Sequence, residues 1–267
     1  MKMFKTVLSK SLYNLRWAAF GWSLVVFFIA FLTMIVFDAI NQQGIEAIVG
    51  QTPDSLKSLV GTASDFTTIS GYIGQQIFGP NGIMFTIIMS IILFISISAS
   101  KEDNGQLQTL LTFPISRSRV YFEQWLAVAL VIGLVCLWFF PAVWLALAIL
   151  GHSTDWTRLW LSIFECFLMN LSYGLVAYGT AMAFGKKGLT ILIGAGYAAI
   201  SFIVSSLSPA VDWLAWPDKL SIYHYYNQPQ VMSAGLDGSD VGVLFTIIAG
   251  LTLVGWLGFT RRDIRAS

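Results

Sequence analysis

The sequence predicts an all-α, polytopic membrane protein with six transmembrane helices, and three observations carry that prediction. Of its 267 residues 56% are hydrophobic, 15% aromatic and only 11% charged, far from the balance of a soluble domain. The apolar residues fall into long uninterrupted runs, each about the length needed to cross a hydrocarbon core of roughly 30 Å at 1.5 Å per residue. The cations are not scattered but gather in the segments between alternate runs. We therefore expect one transmembrane domain over residues 1–267, preceded by an interfacial helix and interrupted by one short polar helix.

Residues 1–16 place Phe4, Val7, Leu8, Leu12 and Leu15 on one helical face and Lys2, Lys5 and Lys10 elsewhere, the pattern of a helix lying in the headgroup layer. A cleaved signal peptide fits less well, because the run that follows is about twice as long as a signal core and no small-x-small site closes it. That run, 17–37, is the first span. Residues 38–81 turn polar, with repeated glycines and a helix-start signal at Thr52-Pro53-Asp54, so short helices on the outer membrane surface are expected there. The second span is 82–100. The third, 120–150, exceeds what a bilayer requires, which implies tilt, a helix extending past the membrane, or a kink at Pro141. Residues 159–184, 189–207 and 241–259 complete the set. The 208–240 segment carries Trp213, Trp216, Tyr223, Tyr225 and Tyr226, rings suited to a membrane interface.

With six spans, the N-terminus, residues 101–119, the Lys186-Lys187 turn and the C-terminus share a side. Only Lys57, Arg158 and Lys219 fall opposite, among 15 Lys and Arg in all. The positive-inside rule then puts both termini and the 101–119 island in the cytoplasm of a cell-membrane protein.

That island, within Lys101 to Gln124, is the one polar stretch between two long apolar runs. Glu102-Asp103-Asn104 supplies helix-start residues, and Leu107, Leu110 and Leu111 recur at the i, i+3, i+4 spacing of a single apolar stripe. Pro114 stops the helix, and Arg117 and Arg119 form a basic ledge behind it. The pattern Glu102-x-x-Gly105-x-Leu107-x-x-Leu110-Leu111-x-x-Pro114-Ile115-Ser116-Arg117 closely resembles the cytoplasmic coupling-helix motif of permease subunits in the type-two ABC exporter family. Leu56, Gly61 and Gly71-Tyr72 of the first outer loop, Leu220-Ser221-x-x-x-x-Tyr225-Tyr226 and Phe259-x-Arg261-Arg262-Asp263-Ile264 extend the resemblance over nearly the whole chain. Gln106 stands where a Thr is usual, and Gln124 where a Lys is.

The resemblance implies a subunit that forms a translocation path, pairs with a second permease chain, identical or related, and docks a separate ATPase. Glu102, Gly105, Leu107, Leu110, Leu111, Pro114 and Arg117 would be the docking residues, and ATP with Mg would sit on the ATPase. The residues agree that the chain is no ATPase itself: Gly185-Lys186-Lys187 lacks both the upstream Gly and the following Ser or Thr of a phosphate-binding loop. No cofactor, metal or catalytic set is expected, since His152 and His224 stand far apart without a second ligand at helical spacing, and nothing points to nucleic acid. Cys136 and Cys166 lie in apolar runs and read as small buried hydrophobes. Glu165 is the acid inside a span, assigned either to helix packing or to the substrate path. Gly174, Gly179, Ala183, Gly194 and Ala198 read as helix-packing faces. A secondary transporter would need repeats or broken helices around a midplane ion site, and a membrane-embedded enzyme a cluster of His, Asp or Glu at a span's end. Aromatic and aliphatic spans suit lipid contact and a path for a lipid, hydrophobic drug or amphipathic peptide alike.

Overall fold

A backbone in hydrocarbon must satisfy its own hydrogen bonds, and among the described residues this chain does so with helices alone. The structure, a computed structural model, describes residues 6–38, 68–111, 114–226 and 230–262; the side chains of residues 81, 108, 109 and 111 are not described. The helices are α1 (Val7–Ile35), α2 (Ile69–Tyr72, continued by a π-helical turn, Ile73–Ile77), α3 (Pro80–Ile97), α4 (Ala99–Asp103), α5 (Gln106–Leu111), α6 (Arg117–Leu137), α7 (Phe139–Leu150), α8 (Trp156–Phe184), α9 (Lys187–Leu207), α10 (Ala215–Asp218), α11 (Gln230–Ala234) and α12 (Gly238–Arg261). Among the described residues, six helical stretches are long and apolar enough to cross a membrane, as the sequence predicts.

Two expectations need correction. The interfacial helix of residues 1–16 is not a separate element over its described part, because α1 runs unbroken from Val7 to Ile35. No Gly or Pro interrupts residues 7–17, and the buried stripe Ser11, Leu15, Ala19, Ser23, Val26 and Ala30 continues through both halves. The helix packs along its length on α6 and α7: the Leu8 amide donates to Glu123 at 2.8 Å, and the Phe27 and Trp138 rings lie 5.9 Å apart. The second correction concerns residues 68–78, which do not stand clear of the bundle as a surface loop but pack into it. Tyr72, Ile73, Ile77 and Phe78 are buried. The Tyr72 hydroxyl donates to the Thr33 carbonyl at 3.0 Å, and the Tyr226 hydroxyl donates to that of Phe78 at 2.7 Å. Rings at both ends carry this segment inward, with Phe37 against Tyr72 and Phe78 against Phe139, each 5.0 Å between centroids. The Thr52-Pro53-Asp54 signal lies outside the described residues.

The long third run breaks at Trp138, between α6 and α7. Pro141 has no amide to give the Leu137 carbonyl, and the Trp138 amide falls back on Val135 at 3.1 Å. That break falls three residues before Pro141. In the aromatic 208–240 segment Trp213 and Trp216 are 74% and 71% exposed. Beneath them Tyr173, Ser201, Ser221, Ser205, Asp218 and His224 form a hydrogen-bonded chain, with links of 2.5 to 2.7 Å, that pins the segment to α8 and α9.

The core is built around α8, buried along most of its length. Its small residues let neighbours approach. A Cβ on Gly174 would strike Ser90 and Phe94 of α3, and one on Gly194 of α9 would lie 2.9 Å from the Ala177 Cβ. A further close seam is with α12, where a Cβ on Gly255 would sit 2.9 Å from the Gly179 Cα and one on Gly258 the same distance from the Ala183 Cβ. A ladder of tyrosines crosses this seam: the Tyr178 hydroxyl donates to the Tyr121 carbonyl at 2.8 Å, and the Tyr121 hydroxyl to the Thr252 carbonyl at 3.0 Å. Cys136 and Cys166 are buried free thiols.

The seam yields a direct expectation. Gly255→Ala should force α8 and α12 apart at a cost of about 1–3 kcal/mol, seen as a lower thermal unfolding midpoint of the purified protein. Gly250→Ala, with no atom within 4 Å of the added carbon, should leave the midpoint unchanged or slightly raised.

Candidate functional site

The 101–119 island is held by charge at both of its ends. Helix α3 ends at Ser98, whose hydroxyl bonds the Phe94 carbonyl at 2.5 Å, and α4 and α5 then turn about Gly105. Gly105 has φ +67°, a left-handed conformation that costs a residue with a Cβ 1–2 kcal/mol or so. On the far side Ser116 caps α6 through the Arg119 amide at 3.3 Å, and Arg119 pairs with Glu123 at 2.6 Å.

Arg262, one residue past α12, ties these ends together. Its guanidinium forms an ion pair with Glu102 and also donates to the Ala181 carbonyl of α8 at 3.4 Å. Its backbone carbonyl accepts from the guanidinium of Arg117. Both side chains of the Arg262–Glu102 pair are less than one-fifth exposed, so water screens the pair less than a surface bridge. The turn between α8 and α9 makes room for it: Gly185 has φ +68°, and a Cβ there would lie 2.4 Å from both Arg262 and Glu102. Nearby, the Trp256 indole donates to the Ser118 hydroxyl at 2.9 Å. The start of α1, the start of α6, the end of α8 and the end of α12 thus meet beneath the island.

Each residue proposed from sequence can now be placed. Glu102 and Arg117 turn inward and are engaged within the chain by Arg262. Leu107 is only 1% exposed, and Leu110 is half-buried against the core, so this stripe packs on the bundle; the Leu111 side chain lies outside the described residues. Gly105 is partly covered and serves the turn, while Pro114 is exposed. Among the described side chains of the island, Asp103, Asn104, Gln106, Pro114, Ser116 and Arg119 are exposed. Glu165 is 1% exposed, enclosed in the N-terminal half of α8 within electrostatic reach of Tyr226. His152 and His224 each face a single acid, Asp38 at 2.9 Å and Asp218 at 2.7 Å. Among the described residues no three of His, Cys, Asp or Glu come together as metal ligands.

Arg262 and Gly185 are the residues that site reasoning missed. Both were visible as features, one within a closing Arg-Arg-Asp and one within a tight basic turn, but their meeting is a long-range contact with no local signal.

Removing the tether should loosen the island without unfolding the bundle. Arg262→Ala should speed amide exchange across Gln106–Leu111 by about tenfold, the equivalent of losing about 1.4 kcal/mol of local stability, well within the reach of hydrogen bonds to charged groups. Exchange in the middle of α8 should not change. Arg262→Lys, which keeps the charge but loses the fork of donors, should fall between the two.

Comparison with known proteins places this geometry. No curated protein matches the chain. Residues 7–260, nearly its entire length, match the family model described as multidrug efflux system permease Rv1217c, C-terminal domain, and the chain belongs to that family.

Proposed function

We propose that this chain is the membrane-spanning permease subunit of an ATP-driven ABC exporter, and that it couples to a separate ATPase subunit through residues 101–119. Membership in a family of multidrug efflux permeases supports transport as its work. The observation that carries the coupling is the Arg262 tether. A push on the island's accessible face is transmitted through Glu102 and Arg117 to Arg262, and so to α12 and the end of α8.

In this reading ATP and Mg are bound and hydrolysed on the ATPase. A second permease chain, identical or related, completes the path across the cell membrane. ATP-driven closure of the ATPase pair moves the two islands and shifts the permeases between inward-open and outward-open states. The same family membership and the clamped island speak against a secondary transporter or a membrane-embedded enzyme. The buried placement of Glu165 favours helix packing over a lining role in the path.

The docking face is the polar one. Gln106→Trp should reduce co-purification of a co-expressed ATPase by about tenfold or more while leaving thermal stability near wild type, because the residue is exposed. Leu107→Asp should instead lower accumulation of the permease itself, since it buries an unpaired charge at a cost on the order of several kcal/mol. Wild-type ATPase recovery with Gln106→Trp would remove this face from the interface.

Orientation has its own test. In intact cells, a cysteine at Asp237 should react with an impermeant thiol reagent, and one at Asn104 only after the membrane is opened. The native thiols are buried and contribute little background.

A further inference from the structure

Helix α1 carries an exposed face that changes character along its length. Lys10, Tyr13, Trp17, Phe20 and Leu24 follow one another at helical spacing, and each is exposed. The face therefore runs from a cation through three aromatic rings to a leucine. At 1.5 Å per residue Lys10 and Leu24 lie about 21 Å apart, roughly half the thickness of a bilayer with its headgroups. Gly21, beside Phe20, leaves a notch in this face, since a Cβ there would meet nothing within 4 Å.

The polar end of the face gathers positive charge. Arg16 lays its guanidinium over the Tyr13 ring, 3.5 Å from its centroid. Lys101, half-buried on α4, lies within electrostatic reach of Lys10. The acids of the surrounding elements are committed elsewhere: Glu123 of α6 pairs with Arg119 and accepts from the Leu8 amide, and Glu102 of α4 pairs with Arg262. Asp103 is two residues from Lys101, a spacing that puts the two on different sides of α4. Among the described residues no acid forms an ion pair with Lys10, Arg16 or Lys101. Cations brought together from two elements repel each other, and an anion between them turns that repulsion into attraction.

The apolar stripe below the cations decides what carries that anion. We propose that Lys10 and Lys101 bind the phosphate of an acidic phospholipid, with Arg16 beside it, and that the acyl chains lie along Tyr13, Trp17, Phe20 and Leu24. A free phosphate would meet the cations alone and leave the stripe uncovered. A zwitterionic lipid brings a cation of its own to the pair and gains less from it. The site is built on α1 and α4 and does not depend on the ATPase.

The test is native mass spectrometry of the purified full chain, titrated with phosphatidylglycerol and with phosphatidylcholine of identical acyl chains. The wild type should bind phosphatidylglycerol about tenfold or more tightly than phosphatidylcholine. Lys10→Gln should cut that preference about fivefold, and the double variant Lys10→Gln, Lys101→Gln should abolish it while phosphatidylcholine binds as before. Glycerol phosphate, which has the anion without the chains, should not displace the lipid at about a hundredfold excess. Equal affinity for the two lipids in the wild type, an unchanged preference in Lys10→Gln, or displacement by glycerol phosphate would each overturn the proposal. So would high-yield disulfide cross-linking of two copies through a cysteine at Trp17, because a second chain would then cover this face. Lys10 is exposed, so its single variant keeps the fold and decides the matter even if the double variant folds poorly.

Discussion

Close approach of α8 and α12 is the constraint on which the placement of the 101–119 island depends. Two pairs of small residues, Gly179 with Gly255 and Ala183 with Gly258, bring the helices near van der Waals contact where apolar bulk gives no advantage over lipid. Because the seam extends to the C-terminal ends of both helices, the first residue past α12 emerges beside the end of α8. That residue is Arg262, and Glu102, Ala181 and Gly185 are already there. A wider seam would leave the guanidinium short of its partners and the island without an anchor.

The anchored island behaves as one body with the bundle. Among its described residues Leu107 and Leu110 face inward, Glu102 and Arg117 are engaged by Arg262, and the chain turns at Ser98 and Gly105. In the exporter reading this rigidity is the useful property. A loosely hinged island would absorb displacement, whereas one tied to α8 and α12 passes it to helices that run the depth of the membrane.

Much of this was legible in the sequence. Apolar run length gave the six spans, Pro141 offered a kink as one of three readings of the long third run, and small residues at helical spacing gave the packing faces of α8. The island was identifiable from its composition, and its family from the motif within it. Two features were not legible. A stripe at i, i+3, i+4 says that Leu107 and Leu110 face something apolar, yet it cannot distinguish a partner protein from the chain's own core, and here it is the core. The roles of Glu102, Arg117 and Gly185 depend on Arg262, more than 75 residues away in every case, and local patterns carry no information about such a meeting. The inward turn of residues 68–78 was hidden for a related reason: its glycines and polar residues resemble those of a surface loop, and only the contacts of Tyr72 and Phe78 draw it inside.

The account's central claim is that the polar face of a clamped island is where force from an ATPase enters the permease. The most direct measurement is site-specific photo-cross-linking in native membranes, with a photoreactive amino acid at Gln106 and, for comparison, at Trp213 on the aromatic outer segment. The account predicts an adduct from Gln106, identified by mass spectrometry as a chain with a phosphate-binding loop, and none of that chain from Trp213. The absence of an ATPase adduct at Gln106, or its equal yield at Trp213, would contradict it.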